Sequence, residues 1–147
     1  ASLAITDEAK RKDLTNILSA YGLPLGEAFQ LRDDMLGIFG DPSVTGKPAG
    51  DDIREGKRTV LMAMTLERAD QASAAKITAA LGREDLTSDQ IEEVRALITA
   101  TGAVKVVEDL IEGLLSNALT AANSDEIDPS ARELLIELAT SATRRSH

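Results

Sequence analysis

Two adjacent aspartates and a glutamine share one predicted helical stripe that is suited to binding a metal ion. Gln30, Asp33 and Asp34 are spaced at i, i+3 and i+4, and Gly37 follows at i+7, so a helix places all four on a common face. This stripe lies near the carboxyl end of its helix, where the helix dipole costs each acid roughly 0.3–1 kcal/mol. A hard cation would remove that cost, because Mg²⁺ prefers carboxylate oxygens. Arg32, the neighbour of Asp33, would offset part of the charge as well.

Lysines and glycines follow the acidic stripe in a segment that has no helical periodicity. Segment 38–58 contains Lys47 and Lys57 among several glycines and prolines, and we predict a loop, since loops of this length are usually functional or disordered. Glycines let backbone N–H groups approach an anion, and lysines suit phosphate oxygens as point charges. The combination suggests a metal-bridged phosphate or diphosphate site. From spacing alone, a solvated acidic helix end with an ordinary surface loop is an equally good interpretation.

The element that must position the acidic stripe is a long helix. We predict that it begins with an N-cap near Thr6 and ends near Phe39. Gly22 and Pro24 interrupt the pattern, so a kink or a break is expected near residues 22–24. Its apolar residues recur at intervals of three or four: Leu14, Ile17, Leu18, Tyr21, Leu25, Ala28, Leu31 and Met35.

The rest of the chain also favours helices, because Ala, Leu, Glu, Lys and Arg dominate and no strand pattern is recognisable. A capping box from Thr87 to Gln90 and the pair Asp128-Pro129 mark two helix starts. Helices joined by short loops imply an all-α helical bundle. The helices predicted after the loop lie at about 58–69, 72–81, 88–101, 103–122 and 129–143.

Several kinds of chemistry are excluded by composition. The chain lacks cysteine, which rules out disulfides, thiolate metal sites and cysteine nucleophiles. Its single histidine is the last residue, His147, which disfavours histidine-based acid–base catalysis and histidine-ligated zinc. An acidic group at Glu108, Asp109 and Glu112 has no neighbouring lysine and glycine loop, so we interpret it as a solvated helix face.

Charge and hydropathy limit the partners and the compartment. Hydrophobic residues make up 43% of the 147 residues but only three residues are aromatic, so the core must be aliphatic. Sixteen basic and 25 acidic residues give a net charge of −9, which argues against nucleic-acid binding. No apolar run approaches the roughly 20 residues that span a bilayer. No signal peptide is recognisable, so we expect a cytoplasmic protein.

Gly26–Gly37 resembles the second aspartate-rich motif of the trans-isoprenyl diphosphate synthases, a family that includes farnesyl and geranylgeranyl diphosphate synthases. The pattern continues through Phe39–Pro48 and Asp51–Lys57. A weaker similarity extends to the remaining helices, so residues 1–147 resemble the C-terminal portion of one prenyl diphosphate synthase domain, with 38–58 as its active-site loop. The resemblance implies an isoprenoid-synthase-type fold and an Mg²⁺-dependent prenyltransferase. Such an enzyme condenses isopentenyl diphosphate head-to-tail with an allylic diphosphate and makes a longer polyprenyl diphosphate.

The resemblance also implies roles for individual acidic residues. Asp33 is expected to bind Mg²⁺ directly, and Asp34 and Asp52 to act through coordinated water or as secondary ligands. Gln30 is expected to orient water or diphosphate from the same face. One departure is local: the family's fuller motif ends with a third aspartate, whose place is taken here by Gly37.

The same resemblance assigns the substrate contacts. Lys47 and Lys57 are expected to hold the allylic diphosphate, and Lys47 joins Asp33 and Asp34 as a catalytic candidate. Phe29 fits a position near the prenyl tail, although it could equally belong to the core.

A larger departure is that the family's first aspartate-rich motif and its upstream basic segment for isopentenyl diphosphate do not occur in this sequence. We therefore expect a C-terminal half that is inactive alone and that forms a homodimer or assembles with the missing N-terminal half. Two alternatives are a non-catalytic regulatory subunit of a heteromeric prenyl synthase and a helical interaction module.

Overall fold

A computed structural model describes residues 2–143, with the side chains of residues 8–143, and His147 lies outside the described residues. No strand occurs among residues 2–143, which confirms the all-α class. No helix in the described part of the chain is both long and apolar enough to cross a membrane. The helices are α1 (Ser2–Phe39), α2 (Pro42–Thr45), α3 (Asp51–Glu55), α4 (Val60–Arg68), α5 (Gln71–Ala80), α6 (Ser88–Ala100), α7 (Ala103–Ala122) and α8 (Pro129–Thr143).

Helix α1 is longer and more continuous than the sequence predicts. It begins at Ser2, so Thr6 is not its N-cap, and it continues through Gly22 and Pro24. The predicted break is therefore wrong, and the predicted kink stays a prediction. A proline removes one backbone donor from the helix, but burial of Tyr21 and Ala28 on either side of it, at 6% and 0% exposure, stabilises the helical path across this point.

Segment 38–58 is not a simple loop, because it contains the short helices α2 and α3. The side chain of Asp41 caps α2 by accepting a hydrogen bond of 2.9 Å from the backbone N–H of Ser43. A left-handed glycine ends α2, and left-handed glycines flank α3 on both sides; glycine tolerates this conformation without steric cost. Their φ angles are 71°, 69° and 68° at Gly46, Gly50 and Gly56. These glycines therefore lie at the ends of two short helices in a segment that the sequence predicts to be an irregular loop.

The helices after this segment lie close to their predicted bounds, and α7 and α8 match them at both ends. The capping box that opens α6 is confirmed. The backbone N–H of Gln90 donates to Thr87 Oγ1 at 3.2 Å, and the backbone N–H of Thr87 donates to Gln90 Oε1 at 2.9 Å. These starts were predictable because capping depends on residues three positions apart.

The helices form two compact units, whose boundaries fall within α1 and α7. The first unit combines residues 2–29 with 111–143. There the Tyr21 hydroxyl donates a hydrogen bond of 2.8 Å to the carbonyl of Leu135, and small residues allow the helices to pack closely. The buried cluster of this unit consists of Tyr21, Leu115, Ala118, Ala122 and Ala139.

The second unit comprises residues 30–110 and carries the acidic stripe. Its core is aliphatic, as the scarcity of aromatic residues predicts. The largest fully buried side chains of this unit include Met35, Ile38, Ile53, Leu61, Ile77, Ile91 and Ile98.

Candidate functional site

The last turns of α1 present the acidic stripe on one face. Gln30 Nε2 donates a hydrogen bond of 3.0 Å to Asp34 Oδ1, as the i, i+4 spacing predicts. Asp34 is buried at 4% exposure, whereas Asp33 is partly buried and Gln30 is exposed. Met35, at 2% exposure, anchors the opposite side of the helix in the core. The packing of α1 therefore holds the stripe in a defined orientation.

Asp52 reaches this stripe from α3. Asp52 is 6% exposed, and its Oδ2 atom is buried without a hydrogen-bond partner. The carboxylate packs against Gly37, where a Cβ atom would overlap it. A buried carboxylate without hydrogen bonds is unfavourable, so this atom is suited to accept a cation.

Lys57 connects the acids of the two helices. Its Nζ atom lies 3.8 Å from Asp34 Oδ1 and 3.9 Å from Asp52 Oδ2. The turn that brings Lys57 back over α3 is closed by Gly56, and the backbone N–H of Lys57 donates a hydrogen bond of 3.0 Å to the carbonyl of Asp52. A left-handed glycine at the end of α3 thus places the lysine beside both carboxylates.

The electrostatic environment of Asp52 favours an added positive charge. Burial raises the pKa of the Asp52 carboxyl above its usual range, and the positive charge of Lys57 is the main influence that lowers it. The negative charges of Glu55 and Asp34 raise the pKa further, while Lys47 lowers it. The charged carboxylate is therefore incompletely compensated by the protein.

Asp51 and Glu55 of α3 are not among the metal-ligand candidates that the sequence indicates, although their neighbour Asp52 is. Asp51, Asp52 and Glu55 can each bring one carboxylate oxygen within 4.8 Å of the others. Their i, i+1 and i+4 spacing is a signal only if residues 51–55 form a helix, and we had predicted a loop there. Asp52 thus belongs both to this group and to the stripe on α1.

The remaining sequence candidates have different environments. Lys47 is exposed just after α2, and its backbone N–H donates a hydrogen bond of 3.2 Å to Thr45 Oγ1. Phe29 is 42% exposed, so it is not a core residue. The described contacts thus join Gln30, Asp34, Asp52 and Lys57, and Lys47 acts on this group through its charge.

Glu108 does not belong to a fully solvated helix face, which corrects the interpretation of that acidic group. Arg32 is 5% exposed and donates hydrogen bonds of 2.7 and 2.8 Å to the two carboxylate oxygens of Glu108. Asp109 follows the original expectation, since its side chain is 67% exposed and pairs with Lys105 at i, i−4. The sequence could not reveal the Arg32 contact, because 76 residues separate the partners.

The donor set at the stripe fits a hard divalent cation. Asp33, Asp34 and Asp52 offer carboxylate oxygens, which are the ligands that Mg²⁺ and Ca²⁺ prefer. The buried Oδ2 of Asp52 accepts no hydrogen bond, and its nearest described positive charge is Lys57 Nζ at 3.9 Å. Lys57 lies close enough to share an anion with such a cation.

The chain is similar to known prenyl diphosphate synthases. The family model described as Polyprenyl synthetase matches residues 1–98. Geranylgeranyl diphosphate synthase of Saccharolobus solfataricus is 40% identical over 86 residues, which cover 58% of this chain and 26% of that protein. Geranylgeranyl diphosphate synthase of Mycobacterium tuberculosis is 32% identical over 104 residues, which cover 71% of this chain and 30% of that protein.

Solved structures extend the similarity to the fold. Geranylgeranyl pyrophosphate synthase of Corynebacterium glutamicum, solved with isoprenyl diphosphate and magnesium, superposes with a TM-score of 0.83 at 45% identity over 89% of this chain and 37% of that one. Polyprenyl synthase of Caulobacter crescentus, solved with calcium and isoprenyl diphosphate, gives a TM-score of 0.73 at 36% identity over 88% of this chain and 39% of that one. The chain thus spans less than two fifths of the length of each relative described here.

Proposed function

Because the chain belongs to the polyprenyl synthetase family, we propose that it supplies one wall of the active site of an Mg²⁺-dependent prenyltransferase. The substrates are isopentenyl diphosphate and an allylic diphosphate, and the product is a longer polyprenyl diphosphate. In this reaction the bond between the allylic carbon and the diphosphate oxygen breaks, a carbon–carbon bond forms, and a proton leaves. The observation that carries the proposal is the contact of Lys57 with both Asp34 and Asp52 beside the acidic stripe.

The acids of the site serve as the metal ligands in this proposal. Asp33, Asp34 and Asp52 would hold Mg²⁺, which when bound stabilises the negative charge that develops on the departing diphosphate. Asp52 is suited to this role because its buried Oδ2 has no hydrogen bond and because Lys57 and Lys47 compensate its charge only in part. Gln30 holds the Asp34 carboxylate through its 3.0 Å hydrogen bond and so limits the orientations that Asp34 can adopt.

The lysines bind the diphosphate in this proposal. Lys57 lies beside Asp34 and Asp52, so a diphosphate bound through a metal ion at these carboxylates would also contact the ammonium group of Lys57. Lys47 is exposed at the end of α2 and would close on the same anion from the glycine-bearing turn. Phe29, which is 42% exposed, would contact the prenyl tail.

We also propose that the chain works in an assembly, either as a homodimer or with a polypeptide that carries the other half of the active site. Its relatives are much longer than this chain. Within the first unit, Leu134 and Leu138 of α8 are 65% and 56% exposed and lie one turn apart. Neighbouring exposed leucines are suited to contact with another polypeptide. A cytoplasmic location remains a prediction.

Calorimetric binding of an allylic thiolodiphosphate, in which sulfur replaces the bridging oxygen, tests the proposed site in the chain itself. We expect binding that requires Mg²⁺ and that weakens at least about tenfold in Asp34→Asn. Asp109→Asn is the matched control, because the exposed carboxylate of Asp109 pairs with Lys105 of its own helix. Binding that does not depend on Mg²⁺, or that is equal in both variants, would contradict the proposal and favour a helical interaction module.

Turnover tests the reaction once the complementary half is supplied. In that assembly, Asp33→Ala is expected to reduce prenyl transfer by about two orders of magnitude or more. Product formation equal to that of the unchanged assembly would refute the role of Asp33. A regulatory subunit without a catalytic role would leave turnover insensitive to Asp33.

A further inference from the structure

We propose that Gly37 is a positioning residue, because the missing side chain at this point of α1 allows Asp52 of α3 to bring a third carboxylate to the stripe of Asp33 and Asp34. The inference deepens the proposed function and rests on it for the identity of the bound ion. The contact between Gly37 and Asp52 can nevertheless be tested without any ion.

The Asp52 carboxylate lies directly beside Gly37. A Cβ atom at this position would lie 2.8 Å from Asp52 Oδ1, and closer still to Asp52 Cγ and Oδ2. Real Cβ atoms essentially never make contacts this short. The Asp52 carboxylate therefore fills the volume that any other residue at position 37 would need.

The backbone offers no other reason for a glycine here. Gly37 is not among the described residues with positive φ, so its helical conformation would accept alanine. Glycine is also the least favourable helix-interior residue apart from proline. A glycine in α1 thus weakens the helix locally, and the close approach of Asp52 is the compensating feature that the structure shows.

Helix α3 is fixed by contacts that prevent it from moving away as a whole. Ile53 is fully buried, and its carbonyl accepts a hydrogen bond of 2.9 Å from the backbone N–H of Gly82. Arg54 donates a hydrogen bond of 3.1 Å to the carbonyl of Leu86. A larger residue at position 37 would therefore displace the Asp52 carboxylate by rotation of its side chain, and we expect this rotation to move the carboxylate away from the stripe.

The position of Gly37 on α1 explains why displacement of the Asp52 carboxylate matters for the metal site. Residue 37 follows Asp33 by four positions and Asp34 by three, so all three lie on one helical face. Asp52 arrives where a side chain of residue 37 would project, and Lys57 lies 3.9 Å from its Oδ2 atom. The stripe thus receives its third carboxylate from a different helix, and an aspartate on α1 at position 37 would displace the Asp52 carboxylate from the volume that it fills here.

Thermal unfolding without metal tests the contact. We expect Gly37→Ala to lower the Tm of the chain, because the new methyl group overlaps the Asp52 carboxylate. In an Asp52→Ala background the same change should raise the Tm, because the overlap is gone and alanine favours the helix. Gly26→Ala is the matched control, since no atom lies within 4 Å of its Cβ position in α1, and it should raise the Tm in both backgrounds. A Gly37→Ala shift of the same sign in both backgrounds would overturn the inference.

Titration with Mg²⁺ alone tests the consequence for the site. Gly37→Ala and Asp52→Ala should each weaken Mg²⁺ binding by about 10- to 100-fold, and the double variant should bind no more weakly than either. Gly37→Asp combined with Asp52→Ala should recover most of the affinity. If the unchanged chain binds Mg²⁺ and Gly37→Ala binds it equally well, the inference fails while the proposed function stands. If the unchanged chain does not bind Mg²⁺, the proposed function and the metal-binding part of the inference both fail, and the Tm comparison still decides the contact.

Discussion

Arg32 donates two hydrogen bonds, of 2.7 and 2.8 Å, to the two carboxylate oxygens of Glu108 and so joins α1 to α7 within residues 30–110. Arg32 is 5% exposed and directly precedes Asp33. A bidentate contact of this kind restricts the rotation of α1 about its own axis. The pair therefore helps to orient the face of α1 that carries the acidic stripe.

Removal of this contact is expected to destabilise the chain. Arg32→Met should lower the free energy of unfolding by about 1.5–3 kcal/mol, because charge-assisted hydrogen bonds are lost and Glu108 keeps its charge. Urea unfolding measures this loss, and a double-mutant cycle with Glu108→Gln isolates the pair. The exposed pair of Lys105 and Asp109 provides a control cycle, with an expected coupling of about 0.3–0.5 kcal/mol. Strict additivity of Arg32→Met and Glu108→Gln would contradict the expectation.

Replacement of Lys57 is expected to separate metal binding from diphosphate binding. Lys57 competes with a cation for the oxygens of Asp34 and Asp52, so Lys57→Gln should strengthen binding of Mg²⁺ alone by about two- to fivefold. The same variant should weaken binding of the allylic thiolodiphosphate in the presence of Mg²⁺, because a phosphate-binding cation is lost. Calorimetry measures both constants, and Lys105→Gln, at an exposed position, should change neither. A decrease in both affinities would show that Lys57 does not compete with the metal.

Asp70 is expected to make stability depend on acidic pH. Its carboxylate caps α5 by accepting a hydrogen bond of 2.7 Å from the backbone N–H of Ser73, and this bond holds its pKa below the usual value of 3.8. Because the folded-state pKa is the lower one, the stabilisation is fully present above pH 3.8 and is lost as the pH falls through the folded-state value.

The matched variants for this prediction are Asp70→Asn, which keeps a capping oxygen without titrating, and Asp70→Ala, which removes the cap. At neutral pH, Asp70→Asn should unfold near the wild-type Tm and Asp70→Ala below it. As the medium is acidified to below pH 3.8, the wild-type chain should lose more stability than Asp70→Asn. Parallel pH profiles for these two proteins would contradict the assignment.

Self-association is expected for the isolated chain. Leu134 and Leu138 expose adjacent apolar side chains on α8, so light scattering should give a mass above the 15.6 kDa of one chain. Leu134→Lys and Leu138→Lys should shift the distribution toward the single chain. Glu133→Lys, an exposed change on a different side of α8, should not. A monodisperse 15.6 kDa species for the unchanged chain would argue against the homodimer.

Local spacing determined much of this structure from the amino-acid sequence. The all-α class, the bounds of α7 and α8, and the capping box of Thr87 and Gln90 follow from patterns three or four residues apart. The same is true of the shared face of Gln30 and Asp34. Such features depend on neighbours within one or two helical turns, so the sequence contains the information directly.

Tertiary structure decided the features that depend on distant neighbours. Pro24 interrupts the local pattern, yet burial on both sides keeps α1 continuous. The local sequence predicts that Glu108 is solvated, but in the structure it accepts a hydrogen bond from Arg32, which is 76 residues away in the sequence. The contact of Asp52 with Gly37 also requires α3 to be packed against α1, because no local spacing relates the two residues. The identities and the order of the acidic residues are visible in the sequence, but only packing determines which of their carboxylates share one site.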